Sequence, residues 1–154
     1  MKNEFVEECA KKRRMSAIMW GGGTERLTGN PFMEDTIGAY GEYAFAKEFN
    51  LPFNSKVGPD KGYDFQTKIG KIDIKTSKTP INMLVKVNDI KKHVTDIYVL
   101  AGIRKDNSIY FVGWEYAKEM EKCPVKQFNP VLPECHYKHS SKIRPMEEIR
   151  EMLK

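Results

Sequence analysis

An uninterrupted apolar run at Ile97–Ile103 constrains the fold of this chain more than any other feature of its sequence. The run contains no charged residue and is bounded by Asp96 on one side and Arg104 on the other. Such runs are typical of strands covered on both faces, which require neighbouring strands and helices on either side of the sheet. We therefore expect an α/β fold with a central mixed β-sheet flanked by helices.

Shorter patterns predict the elements around this strand. Apolar residues at helical spacing predict helices at 4–20 and 34–50, and we expect a short helix at 116–122. Pro145, Glu147 and Glu148 suit the first turn of a helix at 145–153. Alternating polar and apolar residues predict a hairpin at 62–76, the apolar residues of 81–87 predict another strand, and the turn at Asp106-Asn107 predicts that 109–114 pairs back as a strand. We expect the 34–50 helix on one side of the sheet and the 116–122 helix on the other. The prolines of 123–141 predict a loop.

Length and charge limit the class of protein. A chain of 154 residues corresponds to a single domain, 1–154, which we divide into an N-terminal helix (1–20), a core (34–122) and a C-terminal extension (123–154). Lys and Arg number 26 against 21 Asp and Glu, and the net charge of +5 permits a polyanionic partner. We expect a cytoplasmic protein without membrane contact, because no apolar leader or spanning segment is present and the cysteines form no disulfide pattern.

Two predicted helices carry residues with more than one interpretation. The basic run Lys11–Arg14 covers just over one helical turn and predicts either a solvated face or a patch that contacts phosphates. In the 34–50 helix, Gly38 and Gly41 are costly to helix stability and predict the close approach of another group, for which another backbone is one candidate. Glu42 lies among small and apolar residues, so it is either a solvated side chain or one that points toward a packed or ligand-bearing surface.

The hairpin at 62–76 places polar side chains together. A tip at 69–70 puts Asp64 opposite Lys75 and Gln66 opposite Asp73. Because alternate residues of a strand share a face, these polar residues lie on one face and the apolar residues of the hairpin lie on the other. The apolar face can then pack against helices.

Two converging carboxylates and an amine suggest a defined chemistry. Asp64 and Asp73 repel each other unless a cation lies between them, and Mg²⁺ prefers such hard oxygen ligands. The Lys75 amine can hold or deprotonate an attacking water, or stabilise charge on phosphate oxygens. The alternative is an exposed cross-strand ion pair between Asp64 and Lys75, which contributes only about 0.2–1 kcal/mol to stability.

Three segments in this order resemble the PD-(D/E)xK nuclease superfamily, which has the restriction-endonuclease-like fold. They are Gly41-Glu42 in a helix, Gly62-Tyr63-Asp64 entering a strand, and Asp73-Ile74-Lys75 nine residues after Asp64. The resemblance implies a restriction-endonuclease-like core and a Mg²⁺-dependent DNA endonuclease that hydrolyses phosphodiester bonds, with Mn²⁺ able to substitute. It also implies a duplex or branched DNA partner and a homodimer.

The resemblance assigns a role to each matching residue. Asp64 and Asp73 are implied metal ligands, Ile74 lends its backbone carbonyl, and Lys75 serves the nucleophilic water. Glu42 is implied to complete the site directly or through water. On this view the N-terminal helix either packs on the core or projects as a dimer or DNA contact.

One departure from the superfamily pattern leaves a second ligand possible. The Pro59-Asp60 pair stands apart from Asp64, and Tyr63 occupies the proline position, so Asp60 is a competing ligand. Gln66 could contact the scissile phosphate or face solvent. Four lysines crowd the hairpin and predict either phosphate contacts or ordinary edge protection, namely Lys61, Lys68, Lys71 and Lys78.

Other functional classes remain open from the sequence. A non-catalytic nucleic-acid-binding module of the same fold would keep the basic surface and use the carboxylates in ion pairs, and an RNA-processing nuclease is a lesser possibility. A zinc site would need Cys123, Cys135, His136 and His139. Structural zinc sites usually have paired ligands at both ends, whereas one end here offers a single cysteine, so we favour a proline-rich loop.

Overall fold

The computed structural model describes residues 2–19, 31–53 and 61–154. The helices in these ranges are α1 (Glu4–Met19), α2 (Pro31–Glu48), α3 (Val87–Lys91), α4 (Ala117–Glu121) and α5 (Met146–Met152), with a short 3-10 helix at Ser140–Lys142. The strands are β1 (Phe65–Thr67), β2 (Gly70–Ser77), β3 (Asn82–Lys86), β4 (Ile97–Ile103), β5 (Ile109–Tyr116), β6 (Val125–Lys126) and β7 (Cys135–His139). Among the described helices, none is both long and apolar enough to cross a membrane.

The central sheet has four strands in the order β1-β2-β4-β5. β2 is parallel to β4, and the other two pairs are antiparallel, so the sheet is mixed. Every residue of β4 is buried, as the apolar run Ile97–Ile103 predicted. The expected α/β class, with a central mixed sheet flanked by helices, is confirmed.

The two faces of this sheet are covered by different helices. On one face, Phe45 of α2 and Ile149 of α5 join a buried cluster with Ile74 and Val99. On the other face, Met120 of α4 packs with β3 and with the alternate residues of β4. The predicted placement of α2 and α4 on opposite sides is therefore confirmed, and the alternation along β2 and β4 separates the two clusters.

The hairpin register differs from the prediction by two residues. The observed pairs are Phe65 with Ile72, Gln66 with Lys71, and Thr67 with Gly70. The predictions that Gln66 faces Asp73 and that Asp64 faces Lys75 are therefore wrong. Because the difference is an even number of residues, each side chain keeps the predicted face of the sheet.

The turn that sets this register is organised by Thr67. Its hydroxyl donates to the carbonyl of Gly70 at 2.8 Å and accepts from the N–H of Ile69 at 3.2 Å. Gly70 therefore starts β2 rather than forming the tip. Its positive φ of 126° and the approach of Asp96, whose Oδ2 would lie 2.8 Å from an added Cβ, explain why glycine is needed there.

The prediction of a loop over 123–141 is also wrong. This region contains β6 and β7, and β7 pairs along the whole of β3 to form a second sheet in the order β3-β7-β6. Cys135 and His136, which are adjacent in β7, are both buried, so this strand lacks the alternation that reveals a half-exposed strand.

The C-terminal part of the chain is joined closely to the core. The buried Glu115 of β5 accepts hydrogen bonds from Lys138 of β7 at 2.6 Å and from Arg144 at 2.9 Å. Trp114 exchanges two backbone hydrogen bonds with Arg144 and donates its indole N–H to the carbonyl of Pro145. These contacts link the two sheets and lead directly into α5.

The N-terminal helix packs on α2 rather than projecting from the core. Val6 and Ala10 are buried in a cluster with Ala39 and Tyr40. The Tyr40 hydroxyl accepts from the N–H of Asn3 at 2.7 Å and donates to a carboxylate of α1. These contacts fix α1 along the outer side of α2.

The four basic residues of α1 differ in exposure, and only some of them face solvent. Lys11 and Lys12 are exposed, whereas Arg13 is half-buried and Arg14 is buried. Arg13 forms an ion pair with Glu42 of α2, and Arg14 lies 4.0 Å from Asp35 of the same helix. The interpretation of the whole run as one solvated or phosphate-contacting face is therefore wrong for its two arginines.

Candidate functional site

Asp64 is held where β1 begins by two hydrogen bonds to β2. Its backbone N–H donates to the carbonyl of Ile72 at 2.9 Å, and its Oδ2 accepts from the N–H of Ile74 at 2.7 Å. Asp73 is the residue between these two partners. The carboxylate of Asp64 is therefore fixed beside Asp73. Its negative charge and its hydrogen bond both raise the pKa of Asp73.

Asp73 and Lys75 form the second part of the cluster. They are two residues apart on β2 and share a face, and the Lys75 Nζ lies 2.8 Å from Oδ2 of Asp73. That oxygen is shielded from solvent, and the side chains of Asp73 and Lys75 are 16% and 31% exposed. The structure therefore brings three predicted site residues together, namely Asp64, Asp73 and Lys75.

The protonation of this cluster is shifted from ordinary values. Burial, followed by the negative charge of Asp64, raises the pKa of Asp73 to about 7 despite the opposing effect of Lys75. For Lys75, burial favours the neutral amine, but the adjacent Asp73 carboxylate, together with smaller effects of Asp89 and Tyr98, raises the pKa above its usual value. Lys75 is therefore a cation at neutral pH, while the raised pKa of Asp73 lies near neutral pH.

A cavity of about 310 Å³ opens beside this cluster. Its described lining residues are Lys61, Gly62, Asp73, Lys75, Asp89, Lys92, Val94 and Tyr98. Two carboxylates and three amines thus face a volume large enough for a small anionic group. The cavity combines the candidate residues of β2 with charged residues from other elements.

Tyr98 is a lining residue that the sequence analysis missed. It lies in β4 directly beside Asp73 in the parallel register, and it is 2% exposed. The Lys75 Nζ is 5.7 Å from the centroid of its ring, and burial raises the pKa of its hydroxyl to about 12. Tyr98 could not be assigned to the cluster from the sequence, because it lies within the apolar run. Only the pairing of β2 with β4 shows which side chains of that run face the cluster.

Asp89 was also missed, since it lies in a short polar segment without a recognisable motif. It belongs to α3, which follows β3 directly. Ile90 is 5% exposed and anchors this helix against the face of the sheet that carries Tyr98. Asp89 consequently lines the same cavity as Asp73 and Lys75, and its charge acts on Lys75.

Glu42 is 7% exposed, as expected for a side chain that points toward a packed surface. Its carboxylate forms an ion pair with Arg13, and it is not among the described residues that line the cavity. The neighbouring Gly41 packs against Thr76 of β2, where an added Cβ would overlap the threonine hydroxyl. Thr76 alternates with Lys75, so this contact lies on the opposite face of β2 from the cluster.

The other predicted residues have varied positions. Asp60 falls within 54–60, outside the residues that the structure describes. Lys61 lines the cavity, and the Lys71 Nζ lies 5.1 Å from the centroid of the Tyr63 ring. Lys68 donates a hydrogen bond to the backbone oxygen of Lys154. Gln66 is exposed on β1.

The residues considered for zinc make contacts within the protein. His136 Nδ1 lies 2.9 Å from the carbonyl oxygen of Cys123, and His139 Nδ1 lies 2.8 Å from the hydroxyl of Ser141. Cys135 is buried in β7. Over 2–19, 31–53 and 61–154, no group of three or more His, Cys, Asp or Glu side chains has an arrangement that could hold a metal ion.

The fold and the cluster define an α/β protein with a carboxylate and lysine site on a sheet hairpin. Comparisons with protein-family models, curated proteins and solved structures found no match to this chain. Any function must therefore be inferred from the site itself.

Proposed function

We propose that this protein is a Mg²⁺-dependent DNA endonuclease that hydrolyses phosphodiester bonds and has a restriction-endonuclease-like core. The observation that carries the proposal is the meeting of Asp64 and Asp73 beside Lys75 at the edge of a charged cavity. The resemblance to PD-(D/E)xK nucleases supports the same three residues, and it was drawn from residue order and spacing alone.

The donor set of the cluster fits a divalent cation. Mg²⁺ is commonly held by one or two carboxylates and several waters, and Asp64 and Asp73 supply two adjacent carboxylates. The repulsion between the two carboxylates is the second-largest cause, after burial, of the raised pKa of Asp73, and a cation would relieve it. We propose Asp64, Asp73 and the carbonyl of Ile74 as ligands of Mg²⁺ or Mn²⁺. Such an ion supplies Lewis-acid polarisation of a phosphoryl oxygen and a more acidic water.

The protein residues around the cation have complementary roles. Because Lys75 is protonated at neutral pH, we assign it the orientation of the attacking water and the stabilisation of negative charge on the phosphate, rather than proton abstraction. The resemblance implies that Glu42 completes the site directly or through water. However, α2 packs on the opposite face of β2 from Asp73 and Lys75, and Glu42 is paired with Arg13, so we assign it no part in holding the cation.

The proposed partner is duplex or branched DNA, bound by a homodimer that can address both strands. The amines of Lys61 and Lys92 face the same cavity as the cluster, and a phosphodiester backbone offers the matching charge. The excess of positive charge over the whole chain acts in the same direction.

A cleavage assay tests this proposal. Supercoiled plasmid and a branched junction are incubated with the full chain and Mg²⁺, and we expect Asp73→Asn to lower the rate by about 100-fold or more. Asp106→Asn is the matched control, since this exposed turn carboxylate is bonded to Ser108 within its own turn. Equal cleavage by the wild type and Asp73→Asn would show that any activity comes from elsewhere.

One observation favours a second candidate, a non-catalytic nucleic-acid-binding module. Lys75 forms an ion pair with Asp73 at 2.8 Å, and Arg13 forms one with Glu42, so these two carboxylates have cationic partners within the protein. Calorimetry separates the two candidates. Heat of Mg²⁺ or Mn²⁺ binding that is lost in Asp64→Asn supports the nuclease, whereas DNA binding without any metal signal at millimolar concentration supports the module.

A further inference from the structure

The ion pair between Lys75 and Asp73 involves a carboxylate that the proposed function assigns to a cation. Nζ of Lys75 lies 2.8 Å from Oδ2 of Asp73, and this oxygen is shielded from solvent. A divalent cation and an ammonium group repel each other strongly at such short distances. Cation binding at Asp73 therefore requires the Lys75 ammonium to move or to exchange its partner.

The cavity offers one other carboxylate to the Lys75 ammonium. Asp73 and Asp89 are the two acidic residues among the described lining residues, and the charge of Asp89 already acts on Lys75. The ring of Tyr98 lines the same cavity, with its centroid 5.7 Å from Nζ, and provides a further favourable surface for an ammonium group. The competing partner of Asp89 is Lys92, which is 65% exposed and 3.8 Å away, and such exposed pairs are weak.

The position of Asp89 is set by packing. Ile90 is buried with Tyr98 and Leu100, which holds α3 against the sheet. The N–H groups of Lys92 and His93 close the end of the helix on the carbonyls of Asp89 and Ile90 at 3.3 and 3.0 Å. Asp89 is thus presented to the cavity by a fixed backbone rather than by a free loop.

We propose that Asp89 is a positioning residue that receives the Lys75 ammonium, over the Tyr98 ring, when a divalent cation binds Asp64 and Asp73. This inference rests on the proposed function, because it assumes the cation. The exchange keeps Lys75 charged and inside the cavity, within reach of a water or phosphate oxygen at the cation. Without Asp89, the displaced ammonium would lose its counter-charge, and cation binding would become less favourable.

A double-mutant cycle on Mg²⁺ affinity tests this exchange. Calorimetry is performed on the full-length wild type, Asp89→Asn, Lys75→Met and the double variant, all without DNA. We expect Asp89→Asn to raise the Kd for Mg²⁺ by about fivefold or more in the wild type and by less than about twofold in the Lys75→Met background. Glu121→Gln, which removes an exposed carboxylate from the neighbouring α4, controls for the general loss of negative charge and should leave the Kd within about twofold.

Each other outcome overturns the inference. An equal loss of affinity in both backgrounds would mean that Asp89 acts directly on the cation, and no loss in either would mean that Lys75 moves into solvent. If Lys75→Met does not fold, Lys75→Gln replaces it. In addition, the ammonium resonance of Lys75 in nitrogen-edited NMR should stay protected from exchange in the Mg²⁺-loaded wild type and broaden in Asp89→Asn.

The failure of this inference can be separated from failure of the proposed function. A wild type that binds no Mg²⁺ overturns both, since no cation is then present to displace the ammonium. A wild type that binds Mg²⁺ and cleaves DNA, with unchanged affinity in Asp89→Asn, overturns the exchange alone.

Discussion

Replacement of Asp64 by Asn is expected to stabilise the cation-free protein at about pH 8 and to remove its response to Mg²⁺. The asparagine oxygen can still accept the hydrogen bond from the N–H of Ile74, which the Asp64 carboxylate accepts at 2.7 Å. The substitution therefore keeps the attachment of β1 to β2 and removes only the negative charge beside Asp73.

The size and sign of the effect follow from the pKa of Asp73. Burial and the Asp64 charge raise it from 3.8 to about 7, a difference that corresponds to about 4 kcal/mol. The folded protein thus retains a proton that the unfolded chain loses, so its stability falls as the pH rises from about 4 to about 7. Because burial is the larger cause, we assign about 1–2 kcal/mol of this cost to Asp64.

Urea denaturation in EDTA at about pH 5 and pH 8 measures this effect. We expect Asp64→Asn to be more stable than the wild type by about 1–2 kcal/mol at pH 8 and by less than about 0.5 kcal/mol at pH 5, where Asp73 is protonated. Asp96→Asn is the matched control, because its Oδ2 likewise accepts from a backbone N–H of β2, that of Lys71, at 2.8 Å. The control should show no gain that depends on pH.

Mg²⁺ should reverse the order of stability. A ligand that binds only the folded state stabilises it by about 2.7 kcal/mol at 100 times its Kd, and we expect this gain for the wild type and not for Asp64→Asn. If Asp64→Asn were no more stable than the wild type at pH 8, the two carboxylates would not be in strong repulsion.

Three further substitutions test the packing that supports the site. Gly41→Ala should destabilise the protein by about 1–3 kcal/mol in thermal or urea unfolding, since its Cβ would overlap Thr76. Gly38→Ala, on the same helix with no atom within 4 Å of its added Cβ, should instead stabilise by about 0.5–1 kcal/mol. A loss in both would show that α2 resists any side chain there. Glu115→Gln should cost about 2–3 kcal/mol at neutral pH by leaving Lys138 unpaired. Burial raises the pKa of Glu115, but the hydrogen bonds from Lys138, the N–H of Tyr116 and Arg144 together lower it below its usual value. The cost should therefore shrink as the pH falls below 4.5, and a cost independent of pH would contradict the ion pair.

Local patterns predicted the elements whose burial is regular. The run at Ile97–Ile103 identified β4 because both of its faces are covered, and the alternation on the hairpin identified its two faces. The hairpin register was predicted wrongly because the hydroxyl of Thr67 sets the position of the turn. In addition, Gly70 is required by the close packing of Asp96, which is distant in sequence, rather than by the tip of the hairpin. The strand β7 was missed because its pairing with β3 is not encoded in its own residues.

The candidate site likewise contains residues that the sequence could predict and residues that it could not. Asp64, Asp73 and Lys75 could be grouped from the sequence because one hairpin carries all of them. Asp89 and Tyr98 could not be grouped with them, because the parallel pairing of β2 with β4 and the packing of α3 are contacts between distant segments. The pairing of Arg13 with Glu42 likewise depends on the packing of two helices.

The attachment of the C-terminal region has a consequence for synthesis of the protein. The backbone pairing of Trp114 with Arg144 and the cover that Ile149 gives to the central sheet form only after α5 has been made. A nascent chain that lacks α5 would leave part of one apolar face of the central sheet exposed to water. We therefore expect stable folding only after α5 has left the ribosome, so that the hairpin carrying the charged cluster is made long before its surroundings are complete.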